Sequence, residues 1–289
     1  MNASDDAGRG ERPERHDETA QRAVTERIER EEFARGHIAE GETPARPRHA
    51  ATLVLARETE EPGFEVLMLK RPATARFAAG AYVFPGGKVD DGDVDAELAP
   101  RMPQSGRGAE PEAVLAALRE LFEETGLLLA DRRLGPDVEA TIRAELLADR
   151  RTFGDVAREH DLSFASTHVC YFARWITPSR FARRYDTRFF LAALPGDRRD
   201  FTPDLTPEIA DALWVTPARA VQMFRTGRLP MLFPTRVTLQ TLAGFGSIDR
   251  VFDRYASHPV EPVTPRLLIT KDSVRPVLPG ESGWDEADA

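Results

Sequence analysis

Short apolar runs separated by turn residues dominate the middle of the chain. Ala51–Ala56 (ATLVLA) and Phe64–Leu69 (FEVLML) flank the turn-like Glu60–Gly63, a pairing that predicts a β-hairpin. Tyr82–Phe84 is a third run, stopped abruptly by Pro85-Gly86-Gly87. Residues 88–110 are polar and rich in Gly, Pro and Asp, which predicts a loop. Glu110-Pro111-Glu112 then opens a helix through Thr125, with proline where its missing N–H costs nothing and Gly126 as the stop. Later strands are predicted at Val169–Ile176, Arg188–Leu194 and Ala212–Val215, and later helices at Pro217–Thr226, Pro234–Gly244 and Ile248–Ala256. Strands and helices mix without regular alternation. The expected class is therefore α/β in the broad sense, an α+β mixed sheet flanked by helices.

The two ends differ from this middle. Residues 1–48 hold twelve acidic side chains, nine arginines and a single aromatic, Phe33, too little apolar area to offset ordering entropy. They are expected to form a charged extension outside the core, with a helix over Thr19–Ala39 and a thin stripe of Val24, Ile28 and Ile38. Residues 49–258 form the expected folded domain, and 259–289 a proline-rich tail frayed at its end.

Composition narrows the functional classes. Thirty-nine basic against forty-eight acidic residues give a net charge of −9, which disfavours bulk attraction to nucleic acid or anionic lipid. No stretch free of Asp, Glu, Lys and Arg exceeds twelve residues (Val237–Ile248), short of the about 20 that a membrane-spanning helix needs. Cys170 is the only cysteine, so no intramolecular disulfide or multi-cysteine zinc site exists. With no apolar signal core at the start, a cytoplasmic location is expected.

Candidate chemistry sits on the helix Ala113–Gly126 (AVLAALRELFEETG). At about 100° per residue, Glu120, Glu123 and Glu124 share an arc of about 100°, opposite Val114, Leu115, Leu118, Leu121 and Phe122. The expectation is a helix that packs by one face and turns three carboxylates outward. Such a trio is compensated by a hard divalent cation with oxygen ligands, Mg²⁺ or Mn²⁺. An exposed acidic helix face would give the same pattern without any metal.

Pro85-Gly86-Gly87, followed after a loop by Arg119-Glu120-Leu121-Phe122-Glu123-Glu124-Thr125-Gly126-Leu127, resembles the box of the Nudix hydrolase superfamily. The resemblance implies a Nudix-type α/β/α sandwich with extra C-terminal helices. It implies Glu120, Glu123 and Glu124 as metal ligands, Gly87 as a carbonyl donor, and Arg119 as the residue that steadies loop and helix. The box is stretched: Gly87 to Arg119 is 32 positions where the family has 14, an insertion of about eighteen residues placed near 94–110. Its early acidic position falls to Asp93, Glu110 or Glu112.

Upstream, Leu67-Met68-Leu69-Lys70-Arg71-Pro72, Arg76, Gly80 and Phe84-Pro85-Gly86-Gly87 resemble the element of the coenzyme A diphosphatase branch. That branch implies Arg71, Arg76 and Phe84 as substrate-binding residues, although Arg71 could equally pair with a carboxylate at the core edge. Arg184–Phe190 and Trp214-Val215 are similar to the same branch, and Arg180, Arg183, Arg184 and Arg188 suit either phosphate recognition or a solvated loop. The implied activity is metal-dependent hydrolysis of a diphosphate bond in coenzyme A or an acyl-CoA. ADP-ribose or a dinucleotide is the alternative substrate, and a non-catalytic nucleotide sensor the alternative class. The implied partner is a small nucleotide-type molecule, with a homodimer as one allowed assembly. Glu208, six residues before Trp214, is a further candidate acid, although Pro207-Glu208 also reads as a plain turn.

Overall fold

One long strand, β1 (Arg48–Glu58), organises the sheet. The computed structural model describes residues 27, 30–31, 33–34, 36–38, 42–60, 62–270 and 274–287. Along one edge β1 runs parallel to β6 (Tyr185–Ala193), in register from Arg48↔Tyr185 to Ala56↔Ala193. Strand β5 (Val169–Ile176) joins β6 antiparallel, and the short β8 (Pro262–Val263) joins β5 parallel.

The other edge of β1 is split. Ala56–Glu58 pairs with β2 (Phe64–Lys70), the predicted hairpin, whereas Ala50–Thr52 pairs with β4 (Gly86–Lys88). Strand β3 (Tyr82–Val83) pairs with the far end of β2, which also pairs with β7 (Asp211–Val215). The run 82–88 thus changes partner midway, from β2 to β1. Pro85 stands at the changeover, where its lack of an N–H leaves no ladder bond unmade, and its carbonyl accepts from Leu53 N–H at 2.9 Å. Pro85-Gly86-Gly87 therefore does not end the strand, as expected from turn chemistry, but transfers it.

Side-chain alternation in this sheet feeds two apolar layers. Leu53, Leu55, Leu67, Leu69, Phe190 and Ala192 pack under α1 (Pro111–Thr125), α2 (Pro136–Leu147) and α3 (Phe153–Glu159). Val54, Val66, Met68, Leu191 and Phe172 pack under α4 (Pro217–Arg225), α5 (Phe233–Leu242) and α6 (Ile248–Ser257). Helices on both faces of a mixed sheet make the expected α/β/α sandwich, with the last three helices all on one side.

Four sequence expectations need correction. The insertion, expected as a loop, is a packed one, because Leu98 and Met102 join the α1 layer and Ser105 O accepts from Tyr171 N–H at 2.7 Å. Helices α2 and α3 were not foreseen: α2 buries Ile142, Arg143 and Leu146 alone, too thin a stripe to read. Strand β6 starts at Tyr185, three residues before the predicted start, so the arginine-rich segment enters the sheet. The tail supplies β8 and a two-stranded pair, β9 (Arg266–Ile269) with β10 (Val274–Val277), that buries Leu267 and Val277.

Of the leading extension, Val24 and Ile28 lie outside the described residues. Ile38 N–H donates to Arg180 O at 2.9 Å, Ala182 N–H to Gly36 O at 2.7 Å, and the Phe33 ring meets Phe181 edge-on at 5.9 Å. Among the described residues no helix is long and apolar enough to cross a membrane.

Cys170 is 3% exposed within β5, and burial pushes its thiol up to about 12. A thiolate is the reactive form, so the native chain should resist a disulfide reagent at about pH 8 and take up one equivalent after denaturation. Rapid labelling of the folded protein, followed by mass spectrometry, would contradict this burial.

Candidate active site

The second half of α1 lies directly on β4, and glycine is what permits the approach. A Cβ built on Gly87 would stand 2.2 Å from Glu120 Oε1, and one on Gly86 2.6 Å from Ala51 O. Gly126 closes α1 with φ +77°, its N–H donating to Phe122 O at 2.8 Å.

Arg119 is the hub of the site. Its side chain is 8% exposed, and it clasps Asp93 with two bonds of 3.0 Å, from Nε to Oδ1 and from Nη2 to Oδ2. Nη2 also donates to Lys88 O at 2.8 Å, and Nη1 to Glu120 Oε1 at 2.9 Å and Glu123 Oε2 at 3.4 Å. Asp93, 2% exposed, is thus the acid among the three candidates that meets Arg119. Glu110 is engaged elsewhere, its Oε2 lying 2.5 Å from Nη2 of the buried Arg188.

The electrostatics follow from crowding. Burial works against the Arg119 charge, but the bond to Asp93 and the fields of Glu120, Asp93 and Glu123 outweigh it and hold the guanidinium above its ordinary value. Burial pushes Glu120 up to about 7, against the pull of Arg119 and with the repulsion of Glu123. Glu123 is raised mainly by burial. Glu124 is raised well above its ordinary value, first by burial and then by Glu120, while Arg71 and the Gly86 N–H ease it and Glu208 opposes them. The trio is therefore only partly turned to solvent, since Glu120, Glu123 and Glu124 are all half-buried. Strand β4 packs against Glu120, and Asp93 holds Arg119 beside it.

Two features bear on a cation. Among the described residues no three acidic, histidine or cysteine side chains converge as a finished metal cage. Yet the donor chemistry fits a hard ion: three desolvated carboxylates share one helix end, and buried Glu124 Oε2 has no hydrogen-bond partner. The fit lies in this orphaned oxygen and in the energetic cost of the packed charges.

The remaining expected residues separate. Arg71 borders the trio through Glu124 and donates from Nε to Phe77 O at 3.0 Å. Arg76 is exposed on the same loop, whereas Phe84 is 4% exposed within the α4–α6 layer. Of the arginine-rich segment, Arg188 pairs with Glu110 and Arg184 with the Thr177 and Ala45 carbonyls, while Arg183 is exposed and Arg180 half-buried. The neighbouring Arg174, outside that set, pairs with Asp186 at 2.8 and 2.6 Å. A cavity of about 520 Å³ lined by Arg57, Glu58, Arg199 and Asp249 includes none of the acids of α1. Arg143 and Asp204, which bind the end of α1, carry no sequence signal at all.

A carboxylate-bearing helix seated on a Gly-Gly strand of such a sandwich matches a known class. A Nudix hydrolase from Alicyclobacillus acidocaldarius, known from a crystal structure, is 30% identical, with a TM-score of 0.60 over 74% of this chain and 99% of that one. The chain belongs to the Nudix hydrolases, enzymes that generally need divalent metal ions. More narrowly, residues 108–240 match the family described as the NUDT19 Nudix domain. The Gallus gallus protein named acyl-coenzyme A diphosphatase NUDT19 is 28% identical, the match covering 83% of this chain and 80% of that one. Its Homo sapiens counterpart is 26% identical, covering 82% and 80%.

Gly87→Ala tests the helix-on-strand contact. The added methyl must displace Glu120, so kcat should fall by about two orders of magnitude while the circular dichroism spectrum is retained. Undiminished turnover would show that Glu120 need not lie where it does.

Proposed function

We propose that this Nudix hydrolase cleaves the diphosphate bond of coenzyme A or an acyl-CoA, giving adenosine 3′,5′-bisphosphate and (acyl-)phosphopantetheine. The observation that carries the proposal is the half-buried trio of Glu120, Glu123 and Glu124, with its orphaned Glu124 oxygen, near Arg71. The coenzyme A assignment draws support from the relatives named acyl-coenzyme A diphosphatase and from the Arg71–Gly87 element.

Glu120, Glu123 and Glu124, with the Gly87 carbonyl, would hold Mg²⁺ or Mn²⁺. When bound, such an ion neutralises phosphate charge and lowers the pKa of water. Arg119 fixes the orientation of Glu120 and Glu123 by donating to both, and Asp93 fixes Arg119 in turn. Arg71, held by the Phe77 carbonyl, presents a guanidinium beside the acids, where a fork-shaped cation suits a phosphate. Arg76 and Phe84 belong to the same proposal as further substrate contacts. Glu208, on a turn whose first root is bonded to the end of α1, belongs to the same proposal as a further acid that would hold or accept a proton. A cytoplasmic location, suited to a single buried free cysteine, stands on the same footing.

The direct test incubates the purified chain with coenzyme A, its 3′-dephospho form, ADP-ribose and NADH, with Mg²⁺, Mn²⁺ or a chelator. Coenzyme A should be split only with metal present. Glu124→Gln should lower kcat by at least about a hundredfold with folding retained. Cleavage of ADP-ribose but not of coenzyme A would overturn the substrate and leave the chemistry standing.

Arg71→Ala separates substrate recognition from catalysis. It should raise KM for coenzyme A by about tenfold, and by less for the dephospho form, consistent with a lost charge-assisted contact of about 1.4 kcal/mol. Equal effects on both substrates would argue against 3′-phosphate recognition.

A further inference from the structure

The turn that carries Glu208 is tied at both ends. Asp204 N–H donates to Thr125 O at 2.9 Å, at the end of α1, and Ala210 N–H donates to Lys70 O at 2.7 Å, beside Arg71. Between these anchors Thr206 and Ile209 are buried, and Ile209 N–H closes onto Thr206 O at 2.9 Å. Glu208 itself is exposed at the tip of the turn. The two roots of the turn thus lie at the end of α1 and beside Arg71, so the turn borders the acid-bearing end of the helix.

One side chain locks the nearer root. Arg143, on α2, donates from Nε to Glu123 O at 2.9 Å, from Nη1 to Asp204 Oδ2 at 2.7 Å and from Nη2 to Asp204 O at 2.5 Å. All three guanidinium nitrogens are thus used by two elements, the end of α1 and the start of the turn. The fit is close, since a Cβ on Gly126 would come within 3.2 Å of Nη1.

Helix physics explains why a cation belongs there. The last carbonyls of a helix lack intrahelical donors and carry partial negative charge. The last turn of α1 has no basic residue, although Glu123 and Glu124 add negative charge to it. Arg143 supplies the missing cation from outside the helix, and at the same time ties down the chain that leads to Glu208.

We propose that Arg143 is a positioning residue: with Asp204 it clamps the root of the Glu208 turn to the end of α1 and so holds the turn that carries Glu208 beside the acid-bearing end of that helix. The inference rests on the active site argued above but not on the identity of its substrate.

A double-mutant cycle on the full chain, with metal and whichever diphosphate it cleaves, tests the coupling. Arg143→Met and Glu208→Gln should each lower kcat by at least about tenfold with KM changed less than about twofold. The double variant should fall no further than the worse single one, because both changes remove the same contribution. Asp204→Ala, which opens the clamp from its exposed side, should repeat the effect, and Arg143→Lys should restore part of it. A readout without metal or substrate is hydrogen exchange: peptides covering 204–209 should exchange faster in Arg143→Met, with β1 and β6 unchanged. Multiplicative effects on kcat, a silent Glu208→Gln, or unaltered exchange over 204–209 would each overturn the clamp. Loss of coenzyme A cleavage by the wild-type chain, with ADP-ribose still cleaved, would instead refute the substrate assignment, and the cycle would be read on ADP-ribose.

Discussion

The structure depends on a buried guanidinium that is outnumbered by carboxylates. Arg119 sits among Asp93, Glu120 and Glu123 and also holds the Lys88 carbonyl. Removing such a cation from water costs several kcal/mol, and leaving Asp93 alone in its place would cost about 3–5 kcal/mol. The arrangement is tolerable because each charge is bonded as well as paired. Without Arg119 the acids of α1 would repel one another at the helix end whose own dipole already disfavours negative charge. With it, two of the three acids are oriented and the third, Glu124, is left short of a partner. That residual shortage is the chemical opening of the site.

The sheet is shaped to accept this helix. Because β1 pairs with β2 at one end and β4 at the other, the run 82–88 crosses from one strand to the next, and Pro85 occupies the step. Gly86 and Gly87 then bring bare backbone against β1 on one side and Glu120 on the other. A side chain at Gly87 would push α1 off the sheet, and one at Gly86 would collide with β1. Strand pairing, helix seating and carboxylate placement are thus a single packing problem solved at the Pro-Gly-Gly step.

Much of this was readable in the residues because local chemistry dictated it. Pro111 and Gly126 mark the ends of α1 by missing N–H and by positive φ, and the Phe64–Leu69 run declares its strand by composition. The arc of Glu120, Glu123 and Glu124 follows from helical period alone. What period cannot tell is what covers a helix. The α1 face expected in solvent is half-covered by β4 and by Asp93, both brought in from other parts of the chain. The roles of Glu110, Arg188, Arg143 and Asp204 were hidden for the same reason: each acts through a partner distant in sequence. Phe84 illustrates the converse, since a motif position can pack into the opposite layer and away from the acids.

The stretched box shows how sequence spacing and spatial spacing come apart. Loop-closure cost rises only slowly with length, so about eighteen extra residues cost little if the ends stay fixed. Here the ends are fixed several times over. Asp93 holds the entry against Arg119, and Glu110 holds the exit against Arg188. Between them, Leu98 and Met102 join the core, and Gly92 lies so close to α3 that a Cβ would meet the Thr152 side chain at 2.6 Å. The inserted chain is therefore packed structure rather than slack. Gly87 and Glu120 meet because of where the two roots are anchored, whatever the length of chain that runs between them.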